Sequence, residues 1–334
     1  MRAKIVIALG IVYVVWGSTY LAISVADRTL PPLLMLAVRF ALAGGLLYAW
    51  SAWRGDLASA RPGRREWLAA AIVGGLLLFV DTGGIAWAEQ RVASGLTALL
   101  VATVPLFAAL LDRHFFGVRL SFGALTGIAA GLLGVALLVG QNGRVDPVGA
   151  TVILGAALAW AGGSAYGRVA PLPAPPFLSA AMQMLCAAAL LAVTGAAMGE
   201  VGRVHPSAIS VGSLGAFGFL VVFGSIVAFT AYSWLLRSGA PSVLVSTYAY
   251  VNPAVAVLLG WAFAGEAVGG RELAAGAIVV ASVGMLVLAR DPREHHDAEP
   301  TPETLGPYIR RKEAQELPFP PAAPRLADLR RIAP

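Results

Sequence analysis

Charged residues are scarce in this chain of 334 amino acids. They make up 13% of it, while hydrophobic residues make up 58%, and a soluble domain typically carries about 25% charged residues. A soluble fold with so few charges could not cover its surface with polar groups. The composition therefore excludes an ordinary soluble protein and indicates an all-α integral membrane protein.

Cysteine is almost absent, and the motifs of several enzyme classes are missing. The single cysteine, Cys186, lies within an apolar run, so we interpret it as a small buried hydrophobic residue and expect no disulfide framework. No phosphate-binding loop motif occurs. The four histidines fall outside the apolar stretches, which leaves a buried serine such as Ser164 without a histidine base. The sequence thus predicts no cofactor, no bound metal and no enzymatic activity.

Ten apolar stretches, each long enough to cross a bilayer, account for most of the chain. A helix of about 20 apolar residues crosses a hydrocarbon core of about 30 Å, so little sequence is left for a soluble domain. The first stretch is too long for a signal peptide and lacks its cleavage pattern, so we expect it to remain. The predicted spans are residues 3–25, 31–53, 67–88, 94–112, 121–140, 148–167, 177–198, 211–236, 241–264 and 271–289.

The ten spans fall into two similar sets of five. Ser94 and Pro105, at the two ends of a motif in the fourth span, recur 148 residues later as Ser242 and Pro253 in the ninth. A proline in mid-helix removes a backbone hydrogen bond and bends the helix. The repeat therefore predicts kinks at equivalent places in the two sets.

An odd number of spans in each set turns the second set upside down relative to the first. Inverted repeats of this kind place a substrate site at their interface. We predict a first repeat over residues 3–140 and a second over residues 148–289. Residues 290–334, rich in proline and in charges of both signs, are predicted to form a disordered cytoplasmic tail. We interpret the adjacent His295 and His296 in this tail as solvated residues and not as metal ligands.

Basic residues near the predicted spans lie mostly on one side of the membrane. With the amino terminus in the cytoplasm, the outer loops carry only Arg28, Arg91, Arg144, Arg203 and Arg271. Positively charged loops stay in the cytoplasm, so we predict a multi-pass protein with both termini cytoplasmic. This bias also accounts for the net charge of +6, so lipid is an expected partner and nucleic acid is not.

Several short motifs resemble the EamA-type permeases of the drug/metabolite transporter superfamily, in its YedA-like branch. They occupy residues 16–20, 39–40, 88–90, 94–95, 102–105, 223–226, 248–253 and 265–266. The resemblance implies ten helices in two inverted EamA repeats and a bacterial cytoplasmic (inner) membrane. We expect a secondary transporter that exports small metabolites, such as amino-acid-like or amphipathic compounds, or drugs by alternating access. The resemblance supplies no substrate and no oligomeric state. A passive channel or a lipid scramblase is the alternative, and an intramembrane enzyme is the least favoured reading.

Two charged residues fall well inside predicted spans, away from the span ends, and a charge at a helix centre costs roughly 2.5–3.5 kcal/mol. Arg39 and Asp81 each lie about eight residues from the outer end of their span, at a depth of about 12 Å. We therefore interpret them as a structural salt bridge, because arginine stays protonated and would hold the aspartate ionised. A proton or substrate switch at Asp81 is the alternative, which makes protons a candidate partner.

For three further polar residues and a row of glycines, the position within a predicted span indicates a role. Glu89 and Glu266 end the third and ninth spans on the outer side, each as a carboxylate at a cavity mouth or as an interface anchor. Gln183 in the seventh span is interpreted as a bond between helices. Glycines three or four residues apart in the fifth span predict close packing against a neighbour: Gly123, Gly127, Gly131 and Gly134.

Aromatic and amide side chains near the predicted kinks form the candidate substrate site. Each combines an apolar body with a polar tip, as a pocket for a small amphipathic molecule requires. Asn252, beside the backbone freed by Pro253, is the strongest single polar candidate, and its alternative role is a bond between helices. The other candidates are Trp16, Ser18, Tyr20, Trp87, Trp160, Tyr248 and Tyr250.

Overall fold

The computed structural model describes residues 2–92, 97, 100–118, 121–139, 146–264 and 269–288, and all regular secondary structure in them is helical. Short helices lie at Asp56–Ala60, Glu200–Arg203, Pro206–Ala208 and Ser242–Val245. Each of the longer helices overlaps one predicted span and takes its number. They are α1 (Arg2–Ala26), α2 (Pro32–Trp53), α3 (Arg64–Ala88), α4 (Val104–Phe116), α5 (Phe122–Val139), α6 (Pro147–Val169), α7 (Pro176–Ala197), α8 (Val211–Leu236), α9 (Tyr248–Ala264) and α10 (Gly270–Leu288).

Six of these helices, α1, α2, α3, α6, α7 and α8, are long and apolar enough to cross a membrane. Shorter apolar segments lie in α5 and α10, at Phe122–Leu137 and Leu273–Leu286. Large apolar side chains face outward, as at Val211, which is 87% exposed, and this is the surface that lipid tails cover. A helix satisfies its own backbone groups in lipid. In its described part, the chain is an all-helical membrane protein.

Helices α1–α5 pack mainly on helices α6–α10. Helix α2 packs along α7, and α5 packs along α10. Helix α1 contacts α8 and α9, and α6 makes the equivalent contacts with α3 and α4. Exchanging each helix for the one five places away maps these contacts onto themselves. The core of the molecule is therefore largely an interface between its two halves.

Glycine allows these helices to approach closely. A side chain at Gly74 in α3 would lie 2.3 Å from the backbone oxygen of Gln183 in α7, so only glycine fits there. The predicted glycine face of α5 is confirmed at three positions. A Cβ atom at Gly127, Gly131 or Gly134 would lie 2.6–2.8 Å from side chains of α9 and α10.

The two repeated prolines occupy different helical positions. Helix α4 begins at Val104 after two turn residues, so Pro105 lies in the first turn, where its missing N–H leaves no helical bond unmade. Pro105 thus starts a helix instead of bending one, which corrects the expectation of a kink within a continuous fourth helix. Pro253 lies inside α9, as expected, and Ser246–Thr247 separate α9 from the short helix before it.

Helices α3 and α8 each contain a wide π-helical stretch, Gly75–Gly83 in α3 and Leu220–Phe229 in α8. The two stretches lie in the third helix of each half. π-Helical turns are rare and occur mostly at functional sites. They place Asp81 from one half and Ser225 from the other near the centre of the molecule, where the candidate site lies.

Candidate functional site

A cavity of about 150 Å³ lies between the two halves, next to the π-helical stretches. A cavity of this size holds a small organic molecule. It reaches the surface at Asp27, which is exposed, beyond the ends of α1 and α3; we call this end of the helices the Glu200 end. The polar and aromatic residues that line it include Trp16, Thr19, Asp27, Arg39, Asp81, Thr82, Glu89, Trp160, Tyr248 and Asn252.

Arg39 projects from α2 into this cavity and is held by α8. It is 6% exposed, and its Nε donates to Ser225 Oγ at 2.8 Å. The guanidinium lies against Gly224, where an added Cβ would be 2.7 Å from Nη2. Among the described residues its terminal nitrogens have no hydrogen-bond or ion-pair partner. A buried cation therefore presents free donors to the cavity.

Asp81, on the π-helical stretch of α3, supplies an anion to the same cavity. It is 7% exposed. No Asp81 oxygen lies within 4.0 Å of an Arg39 nitrogen, and the one ion pair among the described residues lies elsewhere. The expected Arg39–Asp81 salt bridge is therefore not formed in this structure, because Arg39 turns toward Ser225 on α8. The cavity holds a cation and an anion that are not paired with each other.

Four aromatic rings form the floor of the cavity, away from the Glu200 end. They are Trp16 of α1, Trp160 of α6, Tyr232 of α8 and Tyr248 of α9, and the centroids of every pair lie 5.0–6.1 Å apart. Trp160 Nε1 donates to the Tyr232 hydroxyl at 2.7 Å. This aromatic floor joins helices of both halves and offers an apolar surface to a ligand.

The candidate residues of α9 lie on two different faces of the helix. Tyr248 and Asn252 are four residues apart, so both point into the cavity. In the amide orientation that suits its neighbours, Asn252 donates to the backbone oxygens of Tyr13 in α1 at 3.3 Å and of Tyr248 at 3.1 Å. It therefore both lines the cavity and links two helices. Tyr250 lies on the other face, buried against Gly131 of α5, and its hydroxyl has no partner among the described residues.

Several other candidates lie away from the cavity wall or outside the described residues. Ser18 donates to the Val15 carbonyl at 2.7 Å and points away from the Trp16 face of α1. The Trp87 ring lies 4.3 Å from the Arg91 guanidinium carbon, as in an aromatic residue of the membrane interface. Some predicted features lie outside the described residues: the side chain of Tyr20, Glu266, and His295 and His296 with the rest of residues 290–334.

Three carboxylates surround the mouth of the cavity. Glu200, 2% exposed, caps the start of α2 by accepting the N–H groups of Leu34 at 2.8 Å and Leu33 at 3.4 Å. Loss of water around Asp27, and then the negative charge of Glu200, raise the pKa of Asp27 to about 6. Burial, and then repulsion by Asp27, raise the pKa of Glu89 to about 7. The mouth therefore changes charge near neutral pH.

The opposite end of the helices, which we call the Arg168 end, is closed. Arg168 near the end of α6 forms an ion pair with Asp112 of α4. The second oxygen of Asp112 accepts a hydrogen bond from the Ser242 hydroxyl. The cavity lining stops short of these residues at the aromatic floor. The cavity is thus open at the Glu200 end and closed at the Arg168 end.

Some functional residues lay outside the sequence prediction. Thr19 lines the cavity three residues after Trp16, and helical spacing was an available signal for it. Asp27 follows α1 as a loop residue, and Ser225 lies in a π-helical stretch that breaks the usual period. Arg168 was counted only as a topology signal. Ser225 lies within the 223–226 motif but was assigned no role, and no local pattern identified Asp27 or Arg168.

Comparisons with known proteins show the family to which this chain belongs. The EamA-like transporter family matches residues 3–140 and 147–288. The uncharacterized inner membrane transporter YedA of Escherichia coli (strain K12) is 40% identical over 285 residues, 85% of this chain and 90% of that protein. The uncharacterized transporter YvbV of Bacillus subtilis (strain 168) is 22% identical over 84% of this chain and 91% of that protein.

A solved protein crystal structure has the same fold, with a TM-score of 0.71 at 22% identity over 86% of this chain and 99% of that chain. The family match and the names of these relatives indicate a membrane transporter and not an enzyme, as the sequence motifs predicted. The family match covers both halves that enclose the cavity, and the chain belongs to the EamA-like transporter family.

Proposed function

We propose that this protein is a secondary transporter of the bacterial inner membrane, with ten spanning helices in two inverted repeats and both termini in the cytoplasm. The exchange symmetry of the helix contacts supports the repeats. The excess of basic residues in the predicted cytoplasmic loops supports the orientation. In that orientation the cavity opens outward, and transport requires a second state open inward. Export is the direction that the EamA resemblance implies.

The proposed substrate is a small amino-acid-like molecule with an acidic group, a basic group and an apolar body. The observation that carries this proposal is the presence of Arg39 and Asp81 in one cavity, both buried and not paired with each other. Unpaired buried charges are costly. A carboxylate on the ligand would pair with Arg39 and an ammonium group with Asp81, while the aromatic floor would cover the apolar part.

Ligand binding is tested first by thermal stability of the purified protein in detergent. A ligand that binds the folded state raises the unfolding temperature. Each of the twenty amino acids is compared with its N-acetyl derivative, which lacks the ammonium group, and with its amide, which lacks the carboxylate. We expect stabilisation by some free amino acids and by neither derivative of them. Stabilisation by the derivatives alone would contradict the substrate class.

Transport is then measured by counterflow in proteoliposomes. Vesicles loaded with an unlabelled amino acid that binds should accumulate the labelled form transiently, whereas a passive channel only equilibrates it. Arg39→Gln and Asp81→Asn should each abolish accumulation, and Ser18→Ala, in the same membrane region but off the cavity, should not. Equilibration without overshoot in the unmodified protein would replace the transporter by a channel.

A further inference from the structure

The Arg168 end is held by a polar group of three side chains, which we call the Arg168 triad: Asp112, Arg168 and Ser242. Arg168 forms an ion pair with one oxygen of Asp112, and Ser242 donates to the other. The side chains of Arg168 and Asp112 are only 20% and 7% exposed. The Arg168 guanidinium carbon also lies 4.4 Å from the centre of the Phe116 ring. Both charges are therefore largely removed from water and depend on each other.

The Arg168 triad joins parts of both halves. Asp112 belongs to α4, Arg168 to α6, and Ser242 to the short helix before α9. It is the only ion pair among the described residues. Any motion that separates α4 from α6 at this end must break it, and a motion that keeps it intact must keep this end closed.

A second void lies between the triad and the aromatic floor. It measures about 10 Å³, room for one water at most. Its wall includes the three triad residues together with Ser164, and Tyr232 from the floor above. The Ser164 and Tyr232 hydroxyls are hydrogen-bonded at 2.6 Å. The wall thus carries several polar groups among apolar side chains. Val104 lines both this void and the cavity, so the two lie next to each other.

We propose that the Arg168 triad is the gate that closes the transport path at the Arg168 end. In this structure the gate is shut, and the small void behind it is the collapsed remainder of the path. When α4 and α6 separate, water enters, the two charges are solvated separately, and the void widens to admit the substrate. This gate rests on the proposed transport function, but its opening is measured without any substrate.

The gate has no charged counterpart at the other end. Residues of α9 lie 148 positions after their equivalents in α4, and the equivalent of Asp112 is Gly260. An inverted copy of the ion pair is therefore not available to hold the Glu200 end shut. Loss of the triad should shift the population toward the state that is open at the Arg168 end.

Thiol labelling from each side measures the gate directly. In the full-length protein with Cys186→Ala, one reporter is Ala165→Cys, on the wall of the void, and the other is Thr19→Cys, in the open cavity. A membrane-impermeant maleimide is added to vesicles from the Arg168 side or from the Glu200 side. In the protein with an intact triad, we expect fast labelling of position 19 from the Glu200 side and slow labelling of position 165 from the Arg168 side.

Asp112→Asn should raise labelling of position 165 from the Arg168 side by at least roughly fivefold, the lower range of conformational couplings. It should slow labelling of position 19 from the Glu200 side at the same time. Ser242→Ala, which leaves the ion pair intact, should act in the same direction but less, and it serves if Asp112→Asn does not fold. The exchange Asp112→Arg with Arg168→Asp should restore slow labelling of position 165.

A purely structural role predicts a different pattern. A staple that only stabilises the helices would lower the unfolding temperature of Asp112→Asn and Ser242→Ala and leave both labelling rates unchanged, which would overturn the gate. If labelling shifts as expected but counterflow fails for every amino acid, the gate stands and the proposed substrate class fails. If counterflow succeeds without the labelling shift, transport stands and the gate fails.

Discussion

The two ends of the helices handle carboxylates in opposite ways. At the Glu200 end, Asp27 and Glu89 repel each other and meet no cation within ion-pair distance among the described residues, and the cavity reaches the surface there. At the Arg168 end, Asp112 is paired with Arg168, and the helices meet. Like charges favour water between them, and opposite charges in a dry site favour contact. On a backbone with exchange symmetry, the two ends therefore differ in charge placement: the open end carries like charges, and the closed end carries an ion pair.

Removing the cation at the closed end should have the largest effect on stability. Arg168→Gln leaves Asp112 buried without a partner; the loss of one member of a buried pair costs about 3–5 kcal/mol, and partial exposure of Arg168 places the expectation at about 3 kcal/mol. Reversible unfolding in mixed micelles measures it. Glu89→Gln, the matched change at the open end, removes a repelled carboxylate and should not destabilise. Equal losses for the two variants would contradict the comparison.

Proton release should affect stability mainly through the open end. The folded pKa values of about 6 for Asp27 and about 7 for Glu89 are raised above the ordinary values of 3.8 and 4.5. The contribution of both groups is therefore full below those ordinary values and is lost as the pH rises through 6 and 7. Glu89→Gln should remove about 1–2 kcal/mol of this pH dependence, allowing for its partial exposure. Unfolding free energies from pH 4.5 to 8 would reveal an unchanged slope if this were wrong.

The cap of α2 should give a smaller effect at the same end. Glu200→Gln keeps an acceptor for only one of the N–H groups of Leu33 and Leu34 and loses the charge near the helix start, at a cost of about 1 kcal/mol. It should also lower the pKa of Asp27, because the neighbouring negative charge is gone. Carboxyl titration by infrared spectroscopy follows Asp27. A cost without a pKa change would show that Glu200 acts on the helix alone.

The smallest effect is expected at Trp87, which lies at the membrane interface and away from the cavity wall. Trp87→Leu removes the contact with Arg91, worth about 0.5–1 kcal/mol at an exposed site. It should leave amino-acid binding in the thermal assay unchanged, whereas Trp160→Leu in the aromatic floor should weaken it. Loss of binding in Trp87→Leu would return this residue to the substrate site.

The helical segments could be predicted from the sequence because the length of an apolar stretch alone indicates a membrane helix. Side-chain direction was readable only where the helix is regular. Of the predicted candidates, Trp16, Tyr248 and Asn252 line the cavity, but Tyr250 faces α5, since two residues along an α-helix turn the side chain by about 200°. The π-helical stretches removed that regularity around Arg39 and Asp81. The distance between Arg39 and Asp81 also depends on α8. An estimate of their depths along α2 and α3 alone does not include that helix.

The Arg168 triad could not be predicted from the sequence, for a different reason. Basic residues at the ends of membrane helices are typical of cytoplasmic loops. In the sequence, Arg168 therefore indicated only the orientation of the chain. Its partner Asp112 lies 56 residues earlier, and no local spacing connects the two. Pairing of this kind comes from the way the halves assemble, and that assembly depends on close contacts such as Gly74 against Gln183.

The π-helical stretches of α3 and α8 also constrain how these helices tolerate changes of length. A π turn holds one residue more than an α turn within nearly the same rise, so it absorbs an inserted residue while both helix ends stay in place. Deletion of one residue within Gly75–Gly83 would let α3 return to a regular helix with both of its ends in place, and the side chains inside the former π-helical stretch would change direction. Asp81 would then leave the cavity without any substitution. The charge that α3 presents to the cavity is thus set by residue count as much as by residue type.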